Sequence, residues 1–337
     1  MKTKHFKLLG CAALSIMCAS VSHAQSVSST PVGYVTQTIS AGTGSGRVFT
    51  PISLPLYSPS SVANATGAIS SVTSTSVTVS GASFGDLSDT SSPYSLRMTS
   101  GSLAGANLYI SANTADTISF DFDLSSVSST TGISVGDTYE IVEIDTLSSL
   151  FGGPSDGVIF SAANQADADI VYILSGGAWL AHYHNGNNWV RKSGRSTINS
   201  DDLPLTSDTA VLFSRLNASS TSYVLTGTVP STDSTLKLNA NGFTFLSNNT
   251  PADITLGNLA LHNASGFEVG ATGDSIYLYT GGSWLKYNYD GTNWIRKSGR
   301  STLISNDVVI PAGSGFLFGK ANAGSESSST LSLQYTL

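Results

Sequence analysis

Cysteine is almost absent from this 337-residue chain, and its only two copies, Cys11 and Cys18, lie within the first 24 residues. Those residues read as an export signal. Lys2, Lys4 and Lys7 give a positive start, Leu8 to about Ala19 a short apolar stretch, and Ser22-His23-Ala24 small residues at both cleavage positions, so the mature chain is expected to begin at Gln25. The mature protein would then be free of cysteine in an oxidising compartment where disulfides are usual, and would rely on burial alone. The 313 residues left when 24 are removed from 337 suffice for one large or two ordinary β cores.

Charge is scarce too. Asp, Glu, Lys and Arg make up 11% of the chain, and without the three signal lysines 12 bases face 22 acids, a net charge of −10. That balance argues against nucleic acid or an anionic membrane as a partner, since both call for a basic face. Long apolar runs are missing as well: the stretch from Leu8 is too short to span a bilayer. After the signal no ten-residue run shows helical periodicity, and Thr146–Phe151 (TLSSLF) offers one helical turn at most. Short alternating or β-branched runs recur instead, among them Ser76–Ser80, Tyr94–Thr99, Asn107–Ser111, Thr117–Phe122 and Thr138–Ile144, each bounded by Gly, Asn, Asp or Ser. The expected fold is all-β, with β-sandwich-like or small-barrel regions.

Tryptophan occurs four times, always in one repeated stretch. WLAHYHNGNNWVRKSGRST (Trp179–Thr197) returns 105 residues later as WLKYNYDGTNWIRKSGRST (Trp284–Thr302). Asn185-Gly186 and Asp290-Gly291 mark a hairpin turn in each copy. A two-residue turn would set His184 opposite Asn187 and His182 opposite Trp189. The likeness extends from Thr146-Leu147/Thr255-Leu256 through Asp169/Asp274 and Tyr172/Tyr277 to Asn217-Ala218/Asn322-Ala323. The chain is therefore divided into a signal (1–24), an N-terminal Ser/Thr-rich β region (25–145), a first repeat unit of about eighty residues (146–229), a connecting segment (230–254) and a second unit (255–337). Two units are a duplication; a solenoid needs several.

Several motifs carry a likeness beyond this repeat: TPVGY (Thr30–Tyr34), YSLRMTSG (Tyr94–Gly101), ISANTADTI (Ile110–Ile118), GDTYEI (Gly136–Ile141), TLSSLFG (Thr146–Gly152), the Trp hairpin and PAGSGFLF (Pro311–Phe318). With them the chain resembles an uncharacterised family of exported β-rich proteins known mainly from verrucomicrobial bacteria. The resemblance implies export and β architecture and supplies no catalytic residues. The first unit departs from the pattern, having TSDTAV (Thr206–Val211) where the second has PAGSGF.

The residues that could carry a function cluster in the hairpins: Trp179, Trp189, Arg191 and Arg195 in the first copy, and Trp284, Tyr287, Tyr289, Trp294, Arg296 and Arg300 in the second. Flat aromatic faces beside Arg and Asn suit pyranose rings, while Trp packed in a core under Arg is the plainer reading. Arg195 and Arg300 face the same choice, between bonding carbonyls or carboxylates of their own unit, for which Asp201, Asp202 and Asp307 lie close in sequence, and projecting free, and the shared heptapeptide favours the first. His182 and His184 have zinc-ligand spacing, but their counterparts are Tyr287 and Tyr289, so a ring is wanted there and no metal site is expected. Glu140 points away from Glu143 and Asp145 along an extended strand, which leaves no acid pair for glycosidase chemistry. There is no G-x-S-x-G elbow, no mature cysteine and no HExxH helix. The chain reads as non-enzymatic and without a cofactor. It is expected to be an exported structural or cell-surface β protein, with extracellular polysaccharide or other surface proteins as partners. Two alternatives stand beside this: a carbohydrate-binding adhesin using the Trp/Arg hairpins, and an outer-membrane barrel suggested by the alternating end Ser329–Leu337, whose strands are short for a lipid-facing band.

Overall fold

The computed structural model describes residues 31–124, 132–207, 210–230, 234–238, 242–263, 267–321 and 330–333, so the proposed signal lies outside the described residues. The protein is all-β, 44% strand and 4% helix. Its one α-helix among the described residues, Leu147–Phe151, is the single turn expected of TLSSLF. Thr146 caps it by accepting a bond from the Ser149 N–H, while Ser149 Oγ answers the Thr146 N–H at 2.8 Å. This reciprocal cap satisfies donors that so short a helix would otherwise leave open.

Two six-stranded antiparallel sheets dominate. The first runs, in spatial order, Ser196–Asn199, Trp189–Ser193, Ala178–His184, Ile170–Ser175, Val211–Arg215 and Val48–Ile52. The second runs Ser301–Ile304, Trp294–Ser298, Ser283–Tyr289, Ser275–Thr280, Gly315–Gly319 and Phe243–Ser247. Strand by strand the order is the same. The ladder of Asp145–Thr146 with Pro204–Leu205 is matched by Ile254–Thr255 with Val309–Ile310, and that of Val32–Ile39 with Thr221–Thr228 by Ser234–Lys237 with Thr330–Leu333.

These ladders cross the division drawn at residue 145. Val32–Ile39 and Val48–Ile52, from the N-terminal part of the chain, pair with the first unit. Ser234–Lys237 and Phe243–Ser247, from the connecting segment, pair with the second. FTPIS (Phe49–Ser53) and FTFLS (Phe243–Ser247) thus hold equivalent places. Between the two halves of the first unit lies a β region of its own. A four-stranded sheet (Ser71–Val72, Ser76–Thr78, Thr117–Ser119, Ala112–Asn113) contributes Val77 and Ile118 to a core shared with Leu96, Met98, Leu108, Tyr139 and Ile141 of a five-stranded sheet. Alternation along these strands sends those side chains inward.

Each six-stranded sheet buries one face within its own unit. Trp189 joins Ile39, Ile52, Phe151, Val171 and Phe213 in the first; Trp294 joins Leu246, Leu261, Ile276, Phe316 and Phe318 in the second. The opposite faces meet each other. Tyr172, Leu212 and Phe49 pack with their opposite numbers Tyr277 and Leu317 and with Phe245. Trp179 and Trp284 both present an edge to Phe245, at 5.3 and 6.0 Å between centroids. Like faces therefore supply both sides of the contact, as in a two-fold dimer written into one chain. A buried polar seam reinforces it. Gln37 donates to the carbonyls of Ser53 (3.2 Å) and Gly313 (2.7 Å), and the Ser53 hydroxyl donates to the Asn248 carbonyl. Gly313 has φ +70°, and a Cβ there would fall 1.8 Å from Gln37 Nε2, which accounts for glycine in the PAGSG turn of the second unit.

No helix among the described residues is long and apolar enough to cross a membrane.

Candidate functional site

The hairpin turns differ from the two-residue form. Asn185 N–H donates to the Asn188 carbonyl (3.0 Å), while its Oδ1 accepts from the N–H groups of Asn187 and Asn188. Asp290 does the same for Thr292 and Asn293. The short acceptor side chain folds the next residues over itself, making a four-residue loop of 185–188 and of 290–293. His184 consequently pairs with Trp189 and His182 with Arg191, and Tyr289 pairs with Trp294. The register moves by two residues, so no side chain changes face.

Packing takes the inner tryptophans. Trp189 is 1% exposed, donates Nε1–H to the Gly152 carbonyl at 2.9 Å, and lies against Phe151 and His184. Trp294 is fully buried among Phe267 and Tyr289, with no partner for Nε1 among the described residues. Their backbone N–H groups are held at 2.7 Å by Asp201 and Asn306, which occupy equivalent positions. Trp179 and Trp284 sit at the contact between sheets, the former still 38% exposed. Tyr287 is buried, and Tyr289 is half-buried and stacked on His262 at 4.1 Å. The aromatic residues singled out in the sequence are thus distributed over two cores and a seam rather than gathered on one platform.

His182 is buried, its Nδ1 bonded to Ser200 Oγ at 3.0 Å; burial first, and then the Arg191 charge, pull its pKa down to about 4. Burial also lowers His184, against an opposing pull from Asp201. Neutral rings fit this buried setting. Among the described residues no group of three or more His, Cys, Asp and Glu could hold a metal ion. Of the three acids near the end of the inserted region, Glu140 pairs with Arg97 at 2.7 Å. Glu143 and Asp145 line a cleft of about 280 Å³ together with Tyr57, Tyr94, Ser95 and Asn107.

Beyond the tryptophans each hairpin runs out into solvent. Every residue from Lys192 to Asn199, and from Lys297 to Ile304, is exposed. Ser193 pairs with Ser196 and Ser298 with Ser301, leaving Gly194-Arg195 and Gly299-Arg300 as two-residue turns. Gly194 and Gly299 have φ near +60° (59° and 60°) while the arginines do not share the positive region, the primed turn with glycine first that strand twist favours. Arg195 and Arg300 therefore stand at hairpin tips. The expectation that they bond acids of their own unit is overturned. Asp201 is committed to Asn188 Nδ2 (2.6 Å), Asn199 Nδ2 (3.1 Å) and the Trp189 N–H, and both arginines are exposed. Arg191 and Arg296 are half-buried at the base of the same ribbons, beside His182 and Tyr287 respectively.

Sequence reasoning missed one matched pair of charges. Arg215, fully buried, bonds Asp169 Oδ2 through Nε (3.1 Å) and Nη2 (2.8 Å); Lys320 meets Asp274 at 3.0 Å in the second unit. The signal was present as FSRLNA against FGKANA at the common offset, with the base changed in kind. No protein-family model, no curated protein and no solved structure matches this chain.

Proposed function

We propose that this is an exported, non-catalytic structural or cell-surface β protein, of the kind its sequence motifs resemble. The observation that carries the reading is the use made of the repeated stretch. Its four tryptophans go into two equivalent cores and into the contact between like faces, so the repeat serves as architecture. Packing large rings on both sides of each sheet gives a mature chain without cysteine a stability based on buried area, at about 25 cal/mol per Å² of apolar surface. Such a build suits a protein that must persist outside the cell.

The test is location. Cells divided into cytoplasm, periplasm, outer membrane and medium should show a chain beginning at Gln25 at the outer surface or in the medium. A full-length chain held in the cytoplasm would overturn the reading. A second reading, carbohydrate binding, survives in altered form. Burial of Trp189 and Trp294 removes the ring platform, whereas the exposed arginine tips favour a polar mode of attachment.

A further inference from the structure

The two copies differ where constraint is expected and agree where it is not. Buried positions of the hairpin have changed: His182 is Tyr287 in the second copy, Tyr183 is Asn288, and Val190 is Ile295. Yet the exposed run from Lys192 to Thr197 is identical to that from Lys297 to Thr302, as are the half-buried Arg191 and Arg296 before it. Cores usually restrict substitution and exposed surfaces tolerate it. Part of the identity has a local cause. Glycine supplies the positive φ, and Lys192 and Lys297 donate across the ribbon to Thr197 and Thr302. Neither cause reaches the arginines at the tips.

We propose that the two arginine-tipped hairpins, 189–199 and 294–304, bind an acidic, uronate-bearing polysaccharide, their guanidiniums pairing with its carboxylates; this rests on the exported, surface-located reading. Arginine offers a planar fork of donors that matches a carboxylate, and it is charged at every relevant pH. In each ribbon Arg191 or Arg296 lies at the base and Arg195 or Arg300 at the tip, about 10 Å along the ribbon at ~3.4 Å per residue. Donors strung out along a ribbon fit repeated charges on an extended polymer, whereas a lone phosphate calls for donors that converge. The serine and threonine hydroxyls between them can bond sugar hydroxyls. The hairpins hold six of the twelve bases of a mature chain that is otherwise strongly acidic. Such a chain tolerates a sparsely charged polymer better than duplex DNA, which carries a charge every ~1.7 Å. Bases also guard exposed sheet edges against pairing with other copies, and that role would suit lysine. Arg195 and Arg300 sit on the turn and not along the open side of the edge strand.

The experiment uses the mature protein on immobilised polygalacturonate, with neutral dextran and phosphatidylglycerol vesicles in parallel, at low and at physiological salt. Polygalacturonate should retain the protein and dextran should not, with binding weakening as salt rises. Changing Arg195→Gln and Arg300→Gln together should weaken binding about tenfold or more with an unchanged melting temperature, and Arg→Lys at both should recover only part of it. Absence of wild-type binding, or binding unaltered in the glutamine variant, would sink the proposal. So would equal binding to the vesicles, which would make the partner a membrane. Self-association of the glutamine variant in sedimentation, with polysaccharide binding kept, would show an edge guard instead. A protein found at the cell surface that fails these tests loses only this proposal, because fractionation judges the broader reading separately.

Discussion

Removing the carboxylate of Asp169 should be far more damaging than removing that of Asp274, although the two occupy equivalent positions. Arg215 is 0% exposed, and its guanidinium donates two bonds to Asp169 Oδ2 besides donating to Thr221 Oγ1 (2.6 Å) and to the carbonyls of Ser219 and Val158. Asp169→Ala leaves that cation with neutral acceptors only, and frees the Phe160 N–H that Asp169 also accepts at 3.0 Å. Breaking a buried pair on one side costs about 3–5 kcal/mol, chiefly for the charge left behind. In the second unit the Lys320 side chain keeps 14% exposure on a flexible stem and can turn its ammonium toward water. What Asp274→Ala then loses is mainly the acceptor for the N–H groups of Glu268 and Ala321, about 1–3 kcal/mol. Urea denaturation of both variants gives the two losses directly, read from the midpoint at unchanged slope. The apolar double variant Asp169→Leu/Arg215→Met should regain most of the first loss, because no charge remains stranded. Equal losses at the two sites, or a loss below about 1 kcal/mol for Asp169→Ala, would refute the argument from burial.

His182, with its pKa near 4 against an ordinary 6.5, makes the fold sensitive to acid. The unfolded chain takes up the proton first, so this contribution is complete above about pH 6.5 and is lost as pH falls toward 4; His182→Tyr, copying the second unit, should flatten the melting temperature over that interval. Trp189→Phe forfeits the bond to the Gly152 carbonyl and should cost about 1 kcal/mol more than Trp294→Phe, whose Nε1 has no partner among the described residues, as equilibrium unfolding of the two variants will show. Gly313→Ala should destabilise by about 1–3 kcal/mol through its positive φ and the clash with Gln37; a melting temperature within a degree of the wild type would mean the seam is slack.

The all-β class, the hairpins and the single turn of helix were legible because each rests on local signals: alternation, Asn-Gly and Asp-Gly, and the lack of any helical periodicity longer than TLSSLF. What escaped was set by groups that meet only in space. The turn carries two more residues than a bare Asn-Gly requires because Asn185 and Asp290 use their side chains as acceptors. The sixth strand of the first sheet escaped because FTPIS sits far upstream of the other strands, outside the 105-residue offset that revealed the rest. Arg215 and Lys320 escaped because one base replaced another. At the candidate site the sequence identified the unusual residues and favoured core packing for the rings, which Trp189 and Trp294 follow; it misjudged Arg195 and Arg300, which are exposed, Asp201 in the first unit already having three donors to serve.

The inserted β region also bears on the order in which the chain folds. Ser58–Pro59 pairs with Val142–Glu143, so the insertion closes on itself at its own neck. Val48–Ile52, before that neck, must wait for Val211–Arg215, whereas Phe243–Ser247 needs only the stretch through Gly319. Closing a longer loop adds little free energy, about 0.6 kcal/mol per doubling, and a pre-folded insertion brings the effective loop down to about the length of the one closed in the second unit. A chain emerging from a membrane pore with its N-terminus first would complete the insertion early and hold an unpaired strand beside it. That strand would stay open until the first six-stranded sheet arrived, and during this interval it would be the segment most exposed to pairing with a neighbouring chain.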